Sequence, residues 1–158
     1  MLSRTSDFPR MRPCHAHLMH LTSAHIDPIY RSKDMLLTVT NLPPRRILVV
    51  DDEPFVCESV RLMLSYAGYA VETAGGGREA LAKYDPDRFD LVLTDYSMEG
   101  MKGDQLAAAL KQIAPAKPII LLTAFPPETQ PAGIDLVLTK PFYFETLREA
   151  LATMLADN

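Results

Sequence analysis

The sequence predicts an α/β protein built on a doubly wound parallel sheet. From Arg46 onward, short apolar runs alternate with segments of helical periodicity, as parallel βαβ units with helices on both faces require. The first run, Ile47 to Val50, has no polar alternation, which is typical of a strand buried on both faces. Polar residues directly follow four of the five runs, so we expect a functional site at the carboxyl ends of the strands.

The individual elements follow from the periodicity of the apolar residues. The apolar runs predict strands over residues 47–50, 69–73, 91–93, 119–122 and 136–138. Apolar residues at helical spacing predict helices over residues 56–67, 78–84, 105–114 and 144–154. Gly68 and Pro115 follow two of these helices, and both residue types commonly end a helix.

Composition and charge exclude several classes of protein. The 158 residues suit one domain with a modest extension, and the formal net charge of −4 gives no support for binding to nucleic acid or to a membrane surface. The longest apolar run is too short to cross a bilayer. Cys14 and Cys57 suggest no disulfide framework, so we expect a cytoplasmic protein in a reducing compartment.

Residues 1–44 differ from the rest and are expected to be a flexible extension, with the folded domain at 45–156. All four histidines lie in this extension, and Pro43-Pro44 ends it; Met35 is a candidate start of translation. A metal site is an alternative, but its spacing matches no zinc pattern with a paired second half. That alternative would use Cys14, His15, His17, His20 and His25.

Residues suited to phosphoryl transfer follow four of the predicted strands. Asp51 and Asp52 follow the first strand, Asp95 the third, Thr123 the fourth and Lys140 the fifth. Clustered carboxylates need a compensating cation, and Mg²⁺ prefers oxygen ligands. An aspartate can act as a nucleophile and form an aspartyl-phosphate, while lysine and a hydroxyl can stabilise charge on the transferring group.

Each of these residues also has a purely structural interpretation. The pair Asp51-Asp52 could cap the first helix, which should begin near Pro54. Asp95 could be an acid in a turn, and Lys140 an ordinary solvated lysine. Each alternative is reasonable alone, but the joint pattern at four strand ends favours a phosphoryl-transfer site.

The chain resembles the receiver domain of response regulators in two-component signalling, over roughly residues 46–155. The matching segments are Ile-Leu-Val-Val-Asp51-Asp52-Glu53-Pro54, Leu-Val-Leu-Thr-Asp95-Tyr-Ser-Met98 with Gly103, Leu-Leu-Thr123-Ala124 and Thr-Lys140-Pro141-Phe142. The resemblance implies a flavodoxin-like (CheY-like) fold with five parallel strands in the order 2-1-3-4-5. It also implies a cis peptide bond between Lys140 and Pro141.

The resemblance assigns roles to the clustered residues. Asp95 would accept a phosphoryl group from a histidine kinase or a phosphotransferase. The side chains of Asp52 and Asp95 and the carbonyl of Ser97 would bind Mg²⁺, and Asp51 would hold metal-bound water or share in the binding. Thr123 and Lys140 would contact the phosphoryl oxygens.

Three departures from the family pattern bear on the output of the domain. Glu99 replaces the proline that usually follows Met98, which should soften that loop. Val137 replaces the usual aromatic switch residue. The segment before the fifth strand looks short and contains Pro126, Pro127 and Pro131; because interior proline costs a helix about 3 kcal/mol, we expect a shortened fourth helix or a loop.

Three classes of function are therefore expected, in decreasing order of support. The first is a stand-alone receiver that is not an enzyme and signals through an unknown protein partner, since only three residues follow Leu155. The second is a phosphorylation-independent interaction module on a receiver fold. The third, a phosphohydrolase, usually needs an acid two residues after the nucleophile, where this chain has Ser97.

Phe125, two residues past Thr123, is expected at the mouth of the site. A bulky apolar side chain there would hinder the attack of water on an acyl phosphate and slow its hydrolysis. The alternative is that Phe125 only packs on the shortened loop.

Overall fold

A computed structural model describes residues 43–156. Its five strands form one sheet in the order β2-β1-β3-β4-β5, and every neighbouring pair is parallel. The predicted doubly wound sheet and its strand order are confirmed. The elements are β1 (Arg46–Val50), α1 (Pro54–Tyr66), β2 (Ala70–Ala74), α2 (Gly77–Lys83), β3 (Leu91–Asp95), α3 (Gly103–Ile113), β4 (Ile119–Thr123), β5 (Leu136–Thr139) and α4 (Phe144–Ala156).

The sheet is covered by helices on both faces. Helices α1 and α4 pack on one face over alternate strand residues such as Val49, Leu93 and Leu122. Helices α2 and α3 cover the other face, over the intervening residues such as Leu48 and Leu121. The central strands β1, β3 and β4 are buried along almost their whole length, which explains why their sequences are continuous apolar runs.

The connection between β4 and β5 contains no helix along residues 124–135. Proline lacks the N–H that an interior helical position donates, and Pro126, Pro127 and Pro131 account for the loop. The sequence predicts a shortened fourth helix or a loop at this place, and the structure has a loop. The far end of this connection is fastened by the carboxylate of Asp135, which accepts hydrogen bonds from Lys111 Nζ at 2.8 Å and from the N–H of Ile119 at 2.7 Å.

Two backbone features agree with expectations from the sequence. Gly68 ends α1 with φ = 91°, a conformation that favours glycine after a helix. The Lys140–Pro141 peptide bond is cis, as the resemblance implies. The cysteine and histidines of the predicted extension lie outside the described residues. Along residues 43–156, no helix is long and apolar enough to cross a membrane.

Candidate phosphoryl-transfer site

The carboxyl ends of β1, β3 and β5 bring two aspartates and one lysine into direct contact. Lys140 Nζ donates to Asp51 Oδ2 at 3.0 Å and to Asp95 Oδ1 at 2.6 Å. These residues are separated by up to 89 positions in sequence, so the contact exists only because parallel strands end at one rim of the sheet. The carboxylates of Asp51 and Asp95 are buried, and the ammonium of Lys140 compensates their charge.

The pKa of Lys140 is raised by its surroundings. Burial alone would lower the pKa, because it disfavours the charged amine. The hydrogen bonds to Asp95 and then to Asp51, together with the charges of the two carboxylates, outweigh that effect and hold the pKa above its ordinary value of 10.5. Lys140 is therefore a permanent cation at neutral pH.

Backbone N–H groups orient the acidic side chains. The N–H of Glu53 donates to Asp51 Oδ1 at 2.9 Å, and the N–H of Ser97 donates to Asp95 Oδ2 at 2.6 Å. Each of these two buried carboxylates thus receives one hydrogen bond from Lys140 and one from the backbone. This arrangement satisfies groups that would be costly to bury without partners.

Asp52 and Ser97, the other two residues predicted from the sequence to bind Mg²⁺, line the same cleft. The cleft has a volume of about 240 Å³ and is also lined by Asp51, Asp95 and Lys140. Within residues 43–156, no three acidic, histidine or cysteine side chains form a ready-made metal cluster. Mg²⁺ nevertheless needs only one or two carboxylates with water and phosphate oxygens, and this set of oxygen donors meets that requirement.

The hydroxyl of Thr123 is engaged elsewhere. Thr123 is buried at the end of β4, and its Oγ1 donates to the carbonyl of Phe125 at 3.0 Å and accepts from the N–H of Phe125 at 3.2 Å. The carbonyl of Thr123 accepts from the N–H of Lys140 at 2.7 Å. The structure thus places Thr123 next to the cleft, with its hydroxyl turned to the following loop.

The comparison with known proteins decides the family. Residues 47–152 match the family described as the response regulator receiver domain. The chain belongs to this family. The sequence-based resemblance is thereby confirmed, and the family consists of signalling modules.

Curated relatives match the receiver over part of their length. Response regulator MprA from Mycolicibacterium vanbaalenii is 40% identical over 117 residues, which are 71% of this chain and 51% of MprA. Transcriptional regulatory protein GlrR from Escherichia coli is 36% identical over 120 residues, or 73% of this chain and 27% of GlrR. This chain thus corresponds to about half or less of these relatives. One of these relatives is named a transcriptional regulatory protein, so the comparison gives no support to the expectation that nucleic acid is not a partner.

Solved receivers share the fold over nearly their whole length. The chemotaxis protein CheY4 of Vibrio cholerae is 36% identical with a TM-score of 0.65, and the match covers 72% of this chain and all of CheY4. Response regulator TrrA from Thermotoga maritima, solved in complex with Mg²⁺-BeF, is 36% identical with a TM-score of 0.66. That match covers 70% of this chain and 99% of TrrA.

Gly103 makes a close approach to the backbone of Asp95 in this receiver. A Cβ atom at position 103 would lie 2.2 Å from the carbonyl oxygen of Asp95, a distance that carbon and oxygen atoms do not reach. The N–H of Gly103 also donates to the carbonyl of Tyr96 at 3.1 Å. Only glycine therefore allows α3 to begin directly against the candidate phosphoacceptor.

Two departures from the family pattern, Val137 and Glu99, and the exposed Phe125 lie in three different places. Val137 is partly buried in β5 and packs on the face covered by α2 and α3. Phe125 is 85% exposed, so it does not pack on the loop, and the cleft lining does not include it. The N–H of Glu99 donates to Asp52 Oδ2 at 2.8 Å, a bond that the usual proline could not make.

Sequence reasoning missed the backbone contributions to the site. The donors at Glu53, Ser97 and Glu99 are N–H groups, which leave no signal in side-chain chemistry. Thr94 was also missed: it is fully buried, and its hydroxyl donates to the carbonyl of Asp95 at 3.0 Å. A signal for Thr94 exists, because it is the one polar residue before Asp95 in the apolar run Leu-Val-Leu-Thr.

Proposed function

We propose that this chain accepts a phosphoryl group on Asp95 from the phosphohistidine of a histidine kinase or phosphotransferase, in a Mg²⁺-dependent relay. The observation that carries the proposal is the ammonium of Lys140, which lies 2.6 Å from Asp95 and 3.0 Å from Asp51. Such a cation stabilises negative charge on a phosphoryl group during transfer to the neighbouring carboxylate. The family membership supports the same reaction.

The transfer requires few parts from the protein. A carboxylate oxygen of Asp95 attacks phosphorus, the bond between phosphorus and the imidazole nitrogen breaks, and the imidazole leaves with the bonding electrons. The N–H of Ser97 holds Asp95 Oδ2. Asp95 Oδ1, which accepts from Lys140 Nζ, is then the oxygen that attacks once Lys140 turns to the phosphoryl group. Catalysis is then mostly positioning and charge stabilisation.

The clustered oxygen donors suit Mg²⁺. Asp52, Asp95 and the carbonyl of Ser97 would hold the ion, with Asp51 binding it directly or through water. When bound, Mg²⁺ neutralises charge on the phosphoryl oxygens. Lys140 would contact one phosphoryl oxygen, and Thr123 would contact another after its hydroxyl leaves Phe125.

The output surface is proposed to differ from the usual one. The loop at 124–135 and Val137 replace a helix and an aromatic residue that the family usually has. We propose that the receiver unit, 45–156, signals to a protein partner in the cytoplasm through another or a remodelled surface, and that 1–44 is an extension. A phosphorylation-dependent dimer formed through the region at 124–135, detected by light scattering and crosslinking, would contradict this proposal.

The altered region at 124–137 also favours a second function, a protein-interaction module. The same loop and Val137 remove the parts that usually couple the site to the output face. This favours a protein-interaction module that works without phosphorylation. The intact contact of Lys140 with Asp51 and Asp95 favours the relay instead.

Incubation with Mg²⁺ and acetyl phosphate, followed by intact mass spectrometry, separates the two functions. We expect the wild type to gain one phosphoryl group, the variant Asp95→Asn to gain none, and the control Asp87→Asn, an exposed loop acid, to behave as the wild type. A wild type that stays unmodified, both with acetyl phosphate and with its kinase, would support the interaction module.

A further inference from the structure

A hydrogen bond joins the two acidic loops at the rim of the sheet. The N–H of Glu99, in the loop after β3, donates to Asp52 Oδ2, in the turn after β1, at 2.8 Å. The two residues are 47 positions apart in sequence, so the bond fixes one loop relative to the other. Asp52 is itself exposed, and an exposed carboxylate is free to change rotamer unless a partner holds it.

The loop is shaped so that its N–H groups point at carboxylates. Met98 is 5% exposed and packs into the core under α2 and α3, which anchors the middle of the loop. On either side of this anchor, the N–H of Ser97 reaches Asp95 and the N–H of Glu99 reaches Asp52. Gly100 then turns the chain away with φ = 76°, a conformation that favours glycine.

We propose that Glu99 is a positioning residue for Asp52, acting through its backbone N–H, so that the carboxylate of Asp52 is preset to bind Mg²⁺ through its other oxygen. This inference rests on the proposed function. Hydrogen bonds to a metal-binding carboxylate orient it and commonly change metal affinity by 10- to 100-fold. Proline, which the family usually has at this position, has no N–H to donate.

The bond from Glu99 adds a restraint that the sequence does not reveal. Replacement of proline by glutamate was expected to soften the loop, because proline restricts the backbone. The observed bond instead adds a restraint between the two loops. What matters at position 99 is therefore the presence of an N–H, and the glutamate side chain is secondary.

Calorimetric titration with Mg²⁺ alone tests this proposal without any phosphodonor. Glu99→Pro removes the N–H, whereas Glu99→Gln keeps the N–H and removes only the charge. We expect Glu99→Pro to bind Mg²⁺ roughly tenfold more weakly, at the low end of the usual range because the bond is exposed. Glu99→Gln should recover most of the wild-type affinity. Thermal unfolding without Mg²⁺ confirms that each variant is folded.

A double-mutant cycle with Asp52→Ala, which removes the acceptor, shows whether the N–H acts through Asp52. In the Asp52→Ala background, Glu99→Pro should cause no further loss of Mg²⁺ affinity. An equal loss in both backgrounds would overturn the proposal, since the effect would then come from the loop alone. Equal affinities of the wild type and Glu99→Pro would overturn it as well. A wild type that binds no Mg²⁺ would overturn this proposal together with the proposed metal-dependent relay.

Discussion

The loops after β3 and β4 leave adjacent central strands at the same rim, yet they are built differently. The loop after β3 buries Met98, donates backbone N–H groups to two aspartates and leads into the 11-residue helix α3. The loop after β4 runs from residue 124 to 135 without a helix, and most of its side chains are exposed. The first loop is fixed along its length, and the second is fastened mainly at its end by Asp135.

This difference separates the proposed phosphoryl chemistry of the receiver from its proposed output surface. Three of the residues proposed to accept and stabilise the phosphoryl group, Asp51, Asp95 and Lys140, lie just after β1, at the end of β3 and just after β5, where hydrogen bonds hold them. Thr123, proposed as a further contact of the phosphoryl group, ends β4 and hydrogen-bonds to Phe125 at the start of the remodelled connection. A chain can therefore keep the acceptor side intact while its output surface changes.

Lys140, on the acceptor side, and Lys111, at the end of the connection after β4, allow the two regions to be compared by substitution. Lys140 should give the larger effect. Lys140 compensates the buried carboxylates of Asp51 and Asp95. Lys140→Met would leave both without a cation, and loss of one partner from a buried ion pair costs about 3 kcal/mol or more. We expect the free energy of unfolding, measured in urea, to fall by about 3 kcal/mol, and Mg²⁺ to restore part of the loss. A loss under roughly 1 kcal/mol, as for exposed ion pairs, would contradict the proposed charge balance.

Gly103→Ala tests the rigidity of the acceptor side by a steric change. The added Cβ would lie 2.2 Å from the carbonyl oxygen of Asp95, so α3 and the end of β3 must separate. Overpacking of this kind costs about 2 kcal/mol, and displacement of Asp95 should also slow its phosphorylation by acetyl phosphate. Gly75→Ala is the matched control, since its Cβ would meet only the flexible carboxylate of Glu79. Equal free energies of unfolding for the two variants would show that the backbone around Asp95 can move to make room for the added Cβ, which would contradict a rigid acceptor side.

The same two regions show what sequence could and could not predict. The strands and the meeting of Asp51, Asp95 and Lys140 follow from apolar runs and from the geometry of a parallel sheet, whereas the strand order was implied only by the resemblance to receiver domains. The prolines at 126, 127 and 131 predicted the loss of the helix, because proline has no N–H to donate to a helical hydrogen bond. The partner of the Thr123 hydroxyl could not be predicted, since it depends on the path of the loop. Nor could the N–H of Glu99, because backbone donors occur at almost every residue.

Phe125→Glu tests whether the remodelled side controls the lifetime of the phosphoryl group. Phe125 is exposed, lies two residues after Thr123 and does not line the cleft. If its side chain nevertheless shields the acyl phosphate from water, replacement by a carboxylate removes that barrier and supplies a group that can orient water for attack. We expect hydrolysis of the aspartyl-phosphate to accelerate roughly tenfold, below the usual range for a well-placed general base. The decay of the phosphorylated mass over time measures this rate.

Tyr143→Glu is the control for that experiment. Tyr143 is an aromatic residue of similar exposure, 84% against 85% for Phe125, in the segment after Lys140. Its replacement introduces the same charge, so it should leave the lifetime unchanged if position 125 acts specifically. An unchanged lifetime in Phe125→Glu would show that Phe125 has no shielding role.

Lys111→Met should produce the smallest effect, on the remodelled side. Lys111 Nζ donates to the carbonyls of Pro115 and Lys117 and to the carboxylate of Asp135. Asp135 keeps its bond from the N–H of Ile119, and the carboxylate is partly exposed to water, so we expect a loss of about 1 kcal/mol in the free energy of unfolding. Phosphorylation of Asp95 should proceed at the wild-type rate, because no bond of Lys111 reaches the cleft. A slower rate would mean that the end of the connection is coupled to the acceptor through β4, and that the two sides are not independent.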